Sequence, residues 1–171
     1  MHSLVIKRLA IAVLLSLVIS GCDREANSNS EYVPHWQSII ETDPVNGTSN
    51  VQMMVATMDR SPAEQRPVAL VLSCQNESTD VYVIWRQYLG VYDVEVSWRV
   101  GSDETVNETW TLSSDNEATF APEPIPLIKR MMVSDRFSIK ASPVGSAPVT
   151  HVFDTSGLLT EITALREACR W

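Results

Sequence analysis

The chain has 171 residues, 44% of them hydrophobic, with 13 basic against 21 acidic side chains and a formal net charge of −8. That acid excess argues against nucleic acid or anionic lipid headgroups as partners, because both require a basic face. Length and apolar content together suit one ordinary domain with a core of its own.

The first stretch sets the address. Lys7 and Arg8 precede an apolar run from Leu9 to Ile19, and the small pair Ser20-Gly21 stands before Cys22. A positive section, an apolar section and small residues are the build of a secretory signal. The cysteine directly behind them makes the stretch resemble a bacterial lipobox. That resemblance implies cleavage before Cys22, a diacyl-type lipid on its thiol, and attachment to a membrane through that lipid. The apolar run falls well short of the ~20 residues that cross a hydrocarbon core, so 1–21 reads as a signal rather than an uncleaved anchor. Asp23 follows the lipid cysteine, a pattern that in similar lipoproteins favours the inner membrane of a two-membrane cell. Residues 22–35 read as a flexible polar tether, and 36–171 as the folded domain.

Within that domain Gln37 to Thr42 is a short strand, ended by Asp43-Pro44 and the turn-rich run from Asn46 to Asn50. Val51 to Met58 follows as a strand, and Asp59 to Pro67 as a loop. Val68 to Cys74 is a continuous apolar run, short and rich in β-branched residues, and it predicts a central strand buried on both faces. Asn76 to Thr79 turns the chain, and Val81 to Gln87 returns as the second half of a hairpin. Tyr92 to Val100 alternates apolar and polar residues strictly, the mark of a strand with one wet face. Gly101-Ser102-Asp103 turns it, Val106 to Leu112 is its partner, and Glu117 to Phe120 is a short strand.

Past Pro122, Pro124 and Pro126 the period changes. Ile125, Ile128, Met131 and Met132 lie on one face of a short helix. Phe137 to Ala141 and Val149 to Asp154 form two strands about the Pro143-Val144-Gly145 turn. Leu158, Leu159, Ile162, Leu165 and Cys169 mark a final amphipathic helix, capped by Thr155 or Ser156. The fold class is therefore mainly β, a β-rich α+β domain. An antiparallel sheet or small sandwich carries a short helix and a C-terminal amphipathic helix.

Chemistry is sparse. With Cys22 assigned to the lipid, Cys74 and Cys169 read as one disulfide in an oxidising compartment, two buried free thiols being the alternative. Such a bridge staples the last helix across the sheet and covers the doubly apolar strand. His35 and His151 share no ligand-like spacing, so no metal site is expected, nor any cofactor. Ser114-Asp115-Asn116 matches one element of penicillin-recognising enzymes without its companions, and reads as a turn. Asn46-Gly47-Thr48, Asn76-Glu77-Ser78 and Asn107-Glu108-Thr109 are sequons by pattern, and they too read as turns. Trp85 and Trp98 keep the parity of core residues, whereas Trp36 and Trp171 are freer; a small-molecule ligand stacked on any of them is not expected. Arg99 is the basic residue on the polar side of the most regular strand, near Glu95 and Asp93. It is either a solvated ion pair or a docking residue.

Several segments together resemble the VasI/TagO family of type VI secretion-associated proteins. They are Leu70 to Cys74, Val94 to Val100, Thr111 to Phe120 and Ile125 to Lys129, with Val152 to Leu158 and Leu165 to Trp171 the strongest. The similarity covers Trp36 to the C-terminus. It implies a non-enzymatic, membrane-tethered periplasmic accessory protein whose partners are proteins of a secretion machine or the cell envelope. A periplasmic inhibitor or immunity-type lipoprotein that binds a toxin or cell-wall hydrolase is the alternative.

Overall fold

The structure is a computed structural model that describes residues 35–59 and 66–171. The expected signal, Cys22 and Asp23 lie outside those residues. The first four strands form an antiparallel meander: β1 (Gln37–Thr42), β2 (Ser49–Ala56), β3 (Ala69–Gln75) and β4 (Ser78–Ile84). β4 begins three residues before its expected start because the β3–β4 turn is tight. Asn76 and Glu77 both sit in the left-handed region, at φ 50° and 64°, the conformation that matches strand twist across a two-residue hairpin.

The second half contains β5 (Val94–Val100), β6 (Val106–Leu112), β7 (Ala118–Phe120), β8 (Arg136–Ala141) and β9 (Val149–Asp154). All nine strands join one antiparallel sheet in the order β1-β2-β3-β4-β7-β6-β5-β8-β9. The sheet curls. Past the end of β2, Thr57 N–H still bonds Val68 of the β3 side (2.9 Å), whereas Met58 N–H donates to Val152 O of β9 (2.8 Å). β1 and β9 thus share one edge of the same strand, β1 along Ser49–Met54 and β9 at Thr57.

Strand alternation sends one set of side chains to the inside of the curl. Val51, Met53 and Val55 face Leu70, Leu72 and Cys74, and these face Val81 and Val83. Trp98, Phe137 and Phe153 continue the same face across β5, β8 and β9, with ring centroids 6.2 Å apart in each successive pair. Full burial of side chains this size stabilises by roughly 1.5–3 kcal/mol each, which makes the inner face the main source of stability.

Among the described residues three short helices close that face. α1 (Pro124–Met131) buries Leu127, Ile128 and Met131. Ile128 and Met131 belong to the expected stripe, whereas its other two members, Ile125 and Met132, are only half-buried. The prolines of the first turn hold Ile125 at the rim, so Leu127 takes the inward place. The final amphipathic segment is divided at Ile162 into α2 (Leu158–Glu161) and α3 (Thr163–Cys169). Leu158, Ile162, Leu165 and Cys169 are buried as expected, whereas Leu159 points to solvent at 58% exposure. Neither Thr155 nor Ser156 caps the helix. Thr155 is itself buried and donates its hydroxyl to Ser134 O (2.7 Å), so Gly157 at φ +76° leads into α2. Among the described residues no helix is long and apolar enough to cross a membrane.

Candidate docking surface

Cys74 and Cys169 are bonded, with an S–S distance of 2.04 Å and Cα atoms 5.8 Å apart. The bridge ties α3 to β3 from the inner side, where Cys74 points with Leu70 and Leu72. It therefore covers one face of the doubly apolar strand and leaves the other. On that outer face Val71 is fully buried between its ladder neighbours Met54 and Tyr82. Tyr82 stacks on Phe120 of β7 at 4.8 Å between centroids, and its hydroxyl accepts from Gln52 Nε2 at 2.7 Å. Burial pushes the Tyr82 phenol above its ordinary range, and the charge of Asp80 adds to that, despite the Gln52 hydrogen bond. Beside this stack lies a hollow of about 370 Å³ whose wall includes Ile84 and Phe120 and whose rim includes Asp80, Arg86 and Glu117.

The rest of the outer face is polar. Arg99 lies there, exposed on β5, opposite Ser138 of β8. Glu95 accepts from the Thr109 hydroxyl across the β5–β6 ladder, and among the described residues Arg99 has no ion-pair partner. The outer surface is thus divided into an apolar half over β2, β3, β4 and β7 and a polar half over β5, β6 and β8. Sequence reasoning placed Arg99 on the polar face but missed the Met54, Tyr82 and Phe120 patch. The signal was present in Met53-Met54 and in the doubly apolar β3, both of which demand cover on two sides.

A wide cleft of about 850 Å³ opens at one end of the curl, between Gly101–Asp103, Ser134–Arg136 and Thr155–Gly157. Arg130 forms its wall, bonded to Asp103 at 2.9 Å and lying over the Trp98 ring at 4.7 Å. Behind it Glu108 accepts both indole N–H groups, from Trp98 at 2.6 Å and Trp110 at 2.7 Å. Asn107-Glu108-Thr109 is therefore strand, not the turn that its sequon pattern suggested. The parity of Val106, Glu108 and Trp110 was the signal for a carboxylate on the apolar side.

The remaining polar groups are occupied in the same structural way. Thr57 donates to Asp59, and His151 Nδ1 lies 3.4 Å from the same carboxylate. Burial pushes Asp59 up, but the Thr57 hydroxyl, the backbone and His151 outweigh it and hold the carboxyl below its ordinary range. The contact fastens the end of β2 to β9. Ser114-Asp115-Asn116 is the β6–β7 turn, with Asp115 accepting from the Ser113 hydroxyl and Glu117 N–H. These bonds, the Ser113 one first, lower the Asp115 pKa. Trp36 is half-buried, its Nε1 enclosed, and Trp171 Nε1 donates to Thr79 Oγ1 at 2.9 Å.

A family profile described as type VI secretion system VasI, EvfG matches residues 23–171, most of the chain. The chain belongs to the VasI family. It is accordingly a type VI secretion-associated protein, and the segments that carry the resemblance map onto β3, β5, the β6–β7 hairpin, α1, β9 and α3. The segment Val152 to Leu158 runs from β9 into the wall of the end cleft. In this VasI-family fold Leu165 to Trp171 carries the bridged helix. Comparisons with curated proteins and with solved structures give no match.

Proposed function

We propose that this VasI-family chain is a non-enzymatic accessory protein of type VI secretion that works by docking to other proteins. A lipid on Cys22 holds it on the periplasmic side of the cell envelope, and Asp23 favours the inner membrane, as in the lipoproteins that this stretch resembles. The observation that carries the reading is the family match, which begins at residue 23, directly behind the lipobox-like cysteine. Its non-enzymatic part is supported by how reactive side chains are used. Cys74 and Cys169 form a bridge, His151 sits against Asp59, and Glu108 holds two indoles.

Replacing Cys22 with serine is expected to abolish acyl labelling and to leave an unprocessed or altered signal. Wild-type protein should sediment with membranes and be released by detergent, not by salt. Recovery of unmodified wild type in the soluble periplasm would sink the anchor.

Arg99 is the second point of test. Its exposure and lack of an ion-pair partner among the described residues mean that Arg99→Ala should change stability by no more than ~0.5 kcal/mol. As a docking residue it should nonetheless reduce secretion at normal protein levels. Full secretion in the variant assigns Arg99 to plain solvation.

A further inference from the structure

β1 is an open edge. All six of its residues are exposed, and among the described residues only β2 pairs with it. Asp43 N–H bonds Thr48 O at 2.8 Å, in register with the β1–β2 ladder. Hydrogen bonding alternates along an antiparallel strand, so Gln37, Ile39 and Glu41 bond inward to β2. Ser38, Ile40 and Thr42 therefore direct their backbone N–H and C=O groups away from the sheet. Proteins usually guard such an edge with lysine, proline or a bulge. Between Gln37 and Thr42 there is none of these residues, and two consecutive isoleucines stand 53% and 55% exposed.

A second feature lies alongside. Between β1 and α3 runs a cleft of about 460 Å³, walled by Ile40 and Val51 on the sheet side and by Ala164 and Ala168 on the helix side. Its lining carries Glu77 and Glu167 together with Arg170, which is paired with Glu77 at 2.7 Å, so acid is in excess. Ile40 belongs to both features, since its backbone faces the open edge and its side chain faces the cleft.

We infer that β1 and α3 together form a receptor for an extended segment of a partner protein, which adds as a tenth strand to the β1 edge. The row of backbone donors and acceptors can be matched only by another extended chain. Side chains of the added strand alternate, so those on the face of Ile40 enter the cleft, where the two alanines leave room for a bulky apolar residue. The acid excess of the lining and Glu41 favour basic residues flanking that anchor. A second copy of this chain is the poorer occupant. Antiparallel self-pairing centred on Ile40 sets each Glu41 against an isoleucine and gathers Glu41 and Asp43 of both copies along one seam. The inference does not depend on how or where the chain is anchored.

The test uses the full-length protein in detergent and a capped synthetic peptide of alternating pattern, Lys-Val-Thr-Leu-Thr-Val-Lys. Titration followed by amide NMR should shift β1 and the α3 residues Ala164 and Ala168, and should slow exchange of the Ser38, Ile40 and Thr42 amides. Ile40→Pro removes an outward N–H and spares the ladder to β2, so this variant should fold and bind about tenfold or more weakly. A peptide with glutamates in place of its lysines should bind less well. Shifts confined to other surfaces, or none at millimolar peptide, overturn the inference. So does a concentration-dependent dimer that Ile40→Pro abolishes, which would give the edge to a second copy.

Discussion

Cys169→Ser is expected to lower the unfolding free energy by several kcal/mol, the larger of the effects foreseen for single substitutions. The bridge spans a sequence separation of 95 residues, and removing a constraint on so long a loop costs up to about 4–5 kcal/mol on the chain-entropy account. For a domain of this size each kcal/mol shifts Tm by roughly 2–4 °C. Cys169 is the better site for the test because it lies at the margin of the core, 9% exposed, whereas Cys74 is fully buried. A serine at Cys74 would add the burial of a hydroxyl to the loss of the bond. Melting with and without reductant decides the matter. Wild type should lose most of the difference on reduction, and Cys169→Ser should be indifferent to it. Equal melting temperatures for wild type and variant in oxidising buffer would show that the bridge contributes nothing.

Glu108→Ala should be nearly as damaging, for a different reason. One carboxylate oxygen accepts from both Trp98 and Trp110, and Trp110 has no exposure at all. Truncation strands two indole N–H groups, each costing about 1–3 kcal/mol if it stays dry. Glu108→Gln keeps a carbonyl oxygen with two lone pairs and loses only the charge-assisted part of the two bonds. The expected order of stability is wild type, then Gln, then Ala well below, measured by urea unfolding with tryptophan fluorescence. Equal losses in the two variants would mean that the carboxylate charge, not the shared acceptor, is what matters.

These two sites differ in how far they could be read from the chain. The disulfide was legible because only two cysteines remain behind Cys22, and each falls on an apolar parity, one of a strand and one of a helix. The strands were legible from patterns that act over a few neighbours: period-two alternation in β5, a continuous apolar run in β3, and turn residues at their ends. Strand order was not. β7 pairs with β4 as well as β6, a contact across more than thirty residues that no local pattern announces. Glu108 escaped because a carboxylate in a strand reads as wet-face, although its parity with Val106 and Trp110 put it on the apolar side. The cap at Thr155 failed because Ser134 O, in the turn before β8, takes its hydroxyl instead of the helix. Arg99 was correctly placed on the polar face, but the apolar outer patch and the open β1 edge depend on which strand lies at the border of the sheet.

The sheet order also bears on how the domain forms. Everything from β1 to β4 is joined by consecutive hairpins, and β5–β6 and β8–β9 are hairpins too. Tight hairpins such as β3–β4 close quickly, whereas the connection from Ala56 to Ala69 and the more distant pairings must first meet the entropy of a longer loop. The two halves are connected within the ladder by the three residues of β7, Ala118 to Phe120, and a second time where Thr57 and Met58 reach β9. The β5–β8 pairing and the Cys74–Cys169 bridge also join residues far apart in the chain, so hairpins that form locally come together only through such distant contacts.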